Sequence, residues 1–426
     1  MSVNSMGIEQ AKTVLSAIVS QMQGGTLGSV SVGDFTTVAN NMIRTGYDPF
    51  NQALTQVLAR TIFSNRPYKG KLGKLQTTAE KYGAITRKVN FIDTALEDDQ
   101  QLYKTGYTGY SDGDVPTPDQ YAFRKPKMWQ SNFYGAETFQ KATTRYKNQI
   151  DTALTSAEMF GEFLSAQYQN VYDQLEQVHE GQRRQALINY IGGKSVLGTT
   201  DANGGHVIKL FTQYNADAGL TGADAISISN YLQPDKFVPF VKWLYATIET
   251  LVSYMGNRSP KYHYNPQIGG SVANIMRHTP KNRLKAYMNT SFFNQIQAGV
   301  LADIFHADKL KMVDYEAVDF WQTPTDPTAL KAKIIVNDPS VNITSGTTYD
   351  LKEYTVTTGT AGTGETAISP ILGVLFDEDA LGMAIVDHWQ MDTPINAATG
   401  HSNTFWHFTD KVWNDFTENG IVLALA

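Results

Sequence analysis

Residues 150–193 read IDTALTSAEMFGEFLSAQYQNVYDQLEQVHEGQRRQALINYIGG, and their spacing decides how the rest of the chain is organised. Ile150, Leu154, Ala157, Phe160, Leu164, Tyr168, Val171, Leu175 and Val178 recur at intervals of three and four. A helix turns once in about 3.6 residues, so these side chains fall on one stripe and predict an amphipathic helix. Thr155 with Glu158 fits a capping box, and Gly192-Gly193 reads as a left-handed stop, which bounds the helix at Ser156–Ile191. At a rise of about 1.5 Å per residue it is about 54 Å long, the length of a strut that other elements are pinned to.

Upstream of the strut, alternation marks two strand-like segments, Ala84–Phe91 and Tyr121–Phe139. They flank a polar stretch whose centre, Gly106–Asp114, is Gly, Tyr, Ser, Thr and Asp with almost nothing to bury. This is the outline of a long hairpin with a tip that needs another surface to lie on. Residues 1–75 hold two helical stretches too short to stand alone, the signature of an arm that orders against something larger. Between Arg60 and Lys88 eight cations face one anion, Glu80. A solvated linker is the plain reading, and a patch facing DNA or an acidic neighbour the sharper one.

Downstream, a short strand is expected at His206–Phe211. A second amphipathic helix is marked by Phe237, Val241, Leu244, Ile248, Leu251 and Met255, with Asp235 as cap and Gly256 as stop. Helical patterns follow at Pro280–Met288, capped by Thr279, and at Phe292–Phe305. The register then changes to alternation at Lys309–Trp321, Lys331–Val336, Ile371–Phe376 and Met383–Val386, and the chain closes on Phe405–Phe416 and the apolar 421–426. A Thr/Gly-rich stretch, 337–370, reads as an insertion looping out of the core.

Composition excludes several chemistries. The 426 residues carry 35 Lys and Arg against 41 Asp and Glu, a net charge of -6, which does not suit a chain built to grip phosphate. With no cysteine there is no disulfide framework, thiolate nucleophile or Cys-ligated zinc. No run approaches the roughly 20 apolar residues of a membrane span, and a cytoplasmic site of synthesis is expected. Gly193-Lys194-Ser195 ends like a phosphate-binding loop, but Ile188 stands where the first glycine belongs, and the run leaves a helix instead of a strand. The eight histidines are scattered, His401 and His407 reading as structural, and the acid cluster Asp377-Glu378-Asp379 reads as a charged turn between apolar strands. No catalytic, cofactor-binding or metal-ligating set emerges.

The order of parts resembles the tailed-bacteriophage major capsid proteins, the Hong Kong 97 fold, and most nearly those of short-tailed phages. Three stretches carry the resemblance: Phe123-Arg124-Lys125-Pro126-Lys127 leading through Phe133-Tyr134 into the strut helix; Thr279–Leu284 running on to Phe320-Trp321; and Leu372–Leu381 with the aromatic return Phe405–Trp413. The resemblance implies an α+β fold with an N-terminal arm (1–75), an extended loop and hairpin (76–145) and a peripheral domain with the spine helix (146–234). An axial domain (235–310) and return strands (311–426), the latter interrupted at 337–370, complete it. It also implies a non-enzymatic subunit that builds hexameric and pentameric capsomers, works with scaffolding and portal proteins, and encloses double-stranded DNA without gripping it. Lys104, Tyr107, Tyr110, Arg124 and Lys125 are then the candidates for contact between subunits. The competing expectations are an encapsulin-like shell around an enzyme cargo, and a carbohydrate-active or carbohydrate-binding protein drawing on the 22 Tyr, the 6 Trp and the acid clusters.

Overall fold

The structure, a computed structural model, describes residues 70–76, 85–92, 127–134, 136–198, 205–268, 271–272, 274–299, 315–337 and 351–426, with positions 13, 15–18, 38 and 53 of the arm. The strands are β1 (Ile85–Ile92), β2 (Lys127–Tyr134), β3 (Ala136–Tyr146), β4 (Val207–Lys209), β5 (Gln267–Ile268), β6 (Ser271–Val272), β7 (Leu284–Asn289) and β8 (Tyr315–Val318), then β9 (Lys331–Asn337), β10 (Leu351–Thr358), β11 (Glu365–Ile368), β12 (Ile371–Asp377), β13 (Leu381–Asp392), β14 (His401–Asn414) and β15 (Gly420–Ala424). The helices are α1 (Lys147–Ala153), α2 (Ala157–Leu197), α3 (Leu210–Ala218), α4 (Pro234–Gly256) and α5 (Thr290–Gly299). The chain forms two compact units, one of residues 1–84, 134–186 and 382–413, the other of 85–133, 187–381 and 414–426, and α2 contributes to both.

In the first unit the helical stripe meets a three-stranded sheet ordered β13-β14-β3. β14 and β3 pair antiparallel from His401↔Tyr146 to Lys411↔Ala136. Alternation sends Thr404, Trp406, Phe408 and Asp410 to the buried face. Trp406 and Phe408 share a core with Ile150, Leu154, Ala157, Phe160, Leu164, Tyr168 and Val171, and with Leu15, Ile18 and Ala53 of the arm. Tyr168 meets the Trp406 ring edge to face at 5.3 Å. Beyond Val171 the stripe changes character: Leu175 and Val178 are only half buried, and His179 and Arg183 take the inner positions. His179 Nε2 lies 3.1 Å from the buried Asp410 carboxylate, and Arg183 pairs with Glu176, which also accepts the Gly70 N–H at 3.1 Å.

Both expected ends of the strut helix move. Ser156, not Thr155, is the cap: its hydroxyl accepts the Met159 N–H at 3.1 Å, whereas the Thr155 hydroxyl donates back to the Thr152 carbonyl. At the other end α2 runs through Gly192 and Gly193 to Leu197. Those glycines serve close approach instead of a left-handed turn. A Cβ on Gly192 would sit 2.8 Å from Ile334, and one on Gly193 would run into the Phe416 ring and lie 2.7 Å from Val336.

The second unit is layered about a five-stranded sheet ordered β4-β15-β12-β7-β8, in which β15 runs antiparallel to β12 and parallel to β4. One face, carrying Leu284, Ala286, Met288, Leu375, Ile421 and Leu423, packs on Phe237, Phe240, Val241, Leu244, Ile248, Leu251 and Met255 of α4 and on Leu210, Phe211 and Tyr214 of α3. The opposite face carries Tyr287 and Phe376, stacked at 5.6 Å, against Tyr190 near the end of α2. Beyond α2 lies a second sheet, β11-β10-β9, whose Ile334, Val336 and Val356 are fully buried and whose Ile334, Val336 and Val356 side chains crowd Gly192 and Gly193.

Several expected elements differ. Pro280–Met288 is a turn followed by β7, not a helix, because Leu284, Ala286 and Met288 fill one face of the sheet while Tyr287 fills the other, an alternation only a strand gives. Position outweighs the helix preference of those residues. His206–Phe211 is a three-residue strand running straight into α3. Helix α4 is opened by Pro234 at its first turn with Gln233 at the cap position, so Asp235 sits inside the helix. Within the Tyr121–Phe139 segment the described residues form two strands, β2 and the start of β3, and positions 121–126 lie outside the described residues. Of the 337–370 stretch, β10 forms the middle strand of its sheet with Val356 fully buried, so this part is built into the core. The later part of Phe292–Phe305 and the start of Lys309–Trp321 lie outside the described residues.

Candidate subunit interface

β1 and β2 form a two-stranded ribbon in the second unit. Strand alternation divides β1 into two faces: Lys88 and Asn90 point one way, Val89 and Phe91 the other. The first pair is held by a buried turn, Asp415–Gly420, that links β14 to β15.

That turn is a polar hub. Asp415 accepts the Thr417 N–H at 2.9 Å and the Thr417 hydroxyl at 2.6 Å through one oxygen, and the Lys88 ammonium at 2.7 Å through the other. Lys88 also pairs with Glu418. Arg277 reaches Glu418 at 3.1 Å, donates to the Thr417 carbonyl at 3.2 Å and to Asn90 Oδ1 at 2.6 Å. From the other side comes Lys194, fully buried, donating to the carbonyls of Tyr262 (3.0 Å), Glu418 (3.2 Å) and Phe416 (3.4 Å). Lys194 of the Gly-Lys-Ser run therefore spends its ammonium inside the fold.

The electrostatics follow from burial. Desolvation alone would lower the Lys88 pKa, but Asp415 and Glu418 together outweigh it and hold the ammonium above the usual lysine value. Burial pushes the Glu418 carboxyl up despite its two cations. His263 is bonded to Asn419 Oδ1 at 2.9 Å and to the Ile275 carbonyl at 2.6 Å. Oxygens on both ring nitrogens favour a proton, but burial, with Lys194 and Arg277 nearby, wins and lowers its pKa to about 4. Asn419 continues the chain of bonds to Thr279, and Thr279 to Asp377, which pairs with Arg283. Arg283 pairs with Glu378 and Asp379 as well, so the acid cluster is a turn gathered about one guanidinium.

On its free face the ribbon sets three large apolar side chains among the exposed Arg87, Gln130 and Asn132. Phe91 is 63% and Met128 59% exposed, and Val89 is half exposed. A ribbon fastened on one side and carrying such side chains on the other offers a surface for a partner. The sequence-derived candidates Lys104, Tyr107, Tyr110, Arg124 and Lys125 belong to the connection between β1 and β2 and lie outside the described residues. Sequence reading missed Val89, Phe91 and Met128, although the alternation Arg87–Phe91 contains the signal. Of the basic stretch, Lys88 is committed to the hub, while Lys71, Lys74 and Arg87 are exposed. His407 stacks on Trp389 at 3.8 Å and His401 bonds to Thr399 at 2.6 Å. Among the described residues no group of three or more His, Asp or Glu is placed to hold a metal ion, and no helix is long and apolar enough to cross a membrane.

Comparison with solved structures gives a chain of bacteriophage P68, 10% identical with a TM-score of 0.47, covering 86% of this chain and 87% of that one. The capsid of Staphylococcus phage Andhra gives 11%, 0.47, 86% and 87% in the same order, and the mature capsid of bacteriophage PhiM1 gives 9%, 0.41, 85% and 89%. No curated protein matches the chain. A family model described as Phi29-like phage major capsid protein matches residues 27–424. With nearly the whole chain matched, the protein belongs to the Phi29-like phage major capsid proteins, structural subunits of the tailed-phage head with an α+β fold.

Proposed function

We propose that the free face of the β1–β2 ribbon, together with the connection 93–126 that carries Lys104, Tyr107, Tyr110, Arg124 and Lys125, lies on a neighbouring copy in the shell and supplies one of the contacts that hold hexameric and pentameric capsomers together. The observation that carries this is the exposed Val89 and Phe91 of β1 and Met128 of β2, on a ribbon fastened from its other side through Lys88 and Asn90 of β1. Burying the exposed parts of those three side chains contributes about 3–4 kcal/mol, on the scale of about 1.5–3 kcal/mol for a whole large apolar side chain. That corresponds to roughly millimolar affinity for one contact, so a lone pair of subunits stays soluble while a subunit held by several neighbours does not leave. Closure by symmetry completes the shell.

In this reading residues 1–75 act as the arm, 76–145 as the extended loop, 146–234 and 235–310 as the peripheral and axial domains, and 311–426 as the return strands. The subunit is non-enzymatic, is made in the host cytoplasm, works with scaffolding and portal partners, and touches DNA by proximity alone. Phe91→Asp is the test. The variant is expected to purify as a folded subunit with the wild-type circular dichroism spectrum and to give no particles by negative-stain microscopy, with or without scaffold. Deleting Lys104–Pro116 is expected to do the same. Normal particle yield from either variant overturns the assignment.

A further inference from the structure

The apolar core of the second unit takes nothing from the ribbon. No described side chain of β1 or β2 belongs to the cluster between the five-stranded sheet and the helices α3 and α4, or packs against it. Asn90 is the one buried residue among those described in the two strands. Trp129, Ser131 and Phe133, the alternate positions of β2, are half buried, and the Trp129 indole N–H donates to Ser131 of its own strand at 3.0 Å. The side-chain bonds between ribbon and body among the described residues are polar. Lys88 pairs with Asp415 and Glu418, and Asn90 donates to Thr417 at 3.4 Å and accepts from Arg277 at 2.6 Å.

The turn that receives these bonds does not depend on them. Without the ribbon Asp415 keeps both Thr417 bonds and Glu418 keeps Arg277. The Asp415 N–H donates to the Ala380 carbonyl at 2.6 Å and the Gly420 N–H to the Tyr262 carbonyl at 2.7 Å, while Lys194 holds the carbonyls of Phe416 and Glu418. The Lys88 side chain is 24% exposed, so water refills the place of its ammonium when it leaves. A buried ion pair trades lost hydration against attraction and comes out near balance. Apolar burial, the term that would make undocking costly, has no described part in this joint.

We infer that Lys88 and Asn90 form a releasable clasp on the 415–418 turn, which opens without unfolding the second unit and lets the paired strands β1 and β2 move as one piece. The clasp itself follows from the joint, and its use rests on the shell-forming reading. In a shell one chain has to offer Val89, Phe91 and Met128 to neighbours at different angles in five- and six-membered rings. A joint packed into the core holds one direction, whereas a clasp gives the ribbon a docked and a released state. A neighbour that grips the free face better in the released state raises that population, so the clasp regulates the contact the ribbon makes.

The chain has no cysteine, so paired spin labels report cleanly. Labels at Met128→Cys and Glu249→Cys span the ribbon and α4, and labels at Glu249→Cys and Lys331→Cys span two parts of the body, all at exposed positions. Distances are measured on the unassembled subunit, with and without the added substitutions Lys88→Met and Asn90→Ala. The clasp substitutions are expected to broaden the ribbon distance and raise its displaced fraction at least tenfold, while the body distance and the circular dichroism spectrum stay as in the wild type. An unchanged ribbon distance overturns the proposal, since something other than the clasp then holds the ribbon. A body distance that changes along with it overturns the proposal too, because the joint is then part of the fold. These measurements need no particles, so a wild-type chain that forms none with any scaffold would remove the shell reading and leave the clasp standing.

Discussion

Replacing Lys194 by Met tests whether the hub around Asp415–Gly420 holds the second unit together. Methionine keeps the unbranched length and removes the ammonium and its three hydrogen bonds. The loss can be worked acceptor by acceptor. The Tyr262 carbonyl keeps the Gly420 N–H at 2.7 Å and the Phe416 carbonyl keeps the Tyr264 N–H at 2.8 Å. The Glu418 carbonyl receives no other hydrogen bond among the described residues, and an orphaned buried acceptor costs about 1–3 kcal/mol. A hydrogen bond from a charged donor contributes about 1.5–3 kcal/mol, set against the cost of keeping the ammonium buried, which methionine relieves. We expect a loss of about 2–3 kcal/mol on that scale, read from the urea midpoint of the unassembled subunit followed by circular dichroism. Ser195→Ala is the matched control. Its hydroxyl only donates back to the Ile191 carbonyl at 2.8 Å within the helix, so its effect should stay under about 1 kcal/mol. If Lys194→Met unfolds within 1 kcal/mol of wild type on this scale, the ammonium is not what holds the turn, and the hub argument is wrong.

Two further outcomes are expected. Gly193→Ala should lose at least about 3 kcal/mol because its Cβ has no space beside Phe416 and Val336, while Gly181→Ala in the same helix, with open space around it, should gain about 1 kcal/mol, both read as thermal midpoints. Equal effects at the two glycines would contradict the close-packing account. His263, neutral in the fold with a pKa near 4 against the ordinary 6.5, makes the unfolded chain the better proton binder between those values. Stability should therefore fall as pH drops from about 6.5 to about 4, by about 3 kcal/mol. Glu418, shifted up, acts with the opposite sign, its contribution being lost as pH rises above 4.5. The His263 share is isolated by comparing wild type with His263→Gln, and an unchanged acid slope in that variant would remove His263 from the account.

The stripe of the strut helix was legible in the sequence because its partners are generic: any apolar surface satisfies Phe160 or Leu164. The same holds for α4 and for the closing strands. Gly192-Gly193 misled because a glycine pair signals either a left-handed turn or close approach, and only the positions of Val336 and Phe416 decide between them. Pro280–Met288 misled because Leu, Ala and Met prefer helix locally, whereas β7 is dictated by β12 and β8 on either side of it. At the ribbon the alternation was visible but its direction was not. An observer expects Val89 and Phe91 to face inward; they face outward because Lys88 finds Asp415 and Asn90 finds Thr417, each 327 residues further along the chain. No local rule reads a partner at that distance.

The place of β15 between β4 and β12 has a consequence in time. A ribosome delivers the chain from its amino end, so β4 and β12 are made before the strand that lies between them. Until residues 420–424 follow, β4 and β12 lack their shared neighbour, and the turn that receives Lys88, Lys194 and Arg277 is not yet made. The sheet is therefore continuous only once β15 slots between two strands already formed, and the layer of α3 and α4 gains an unbroken surface to rest on only from that point.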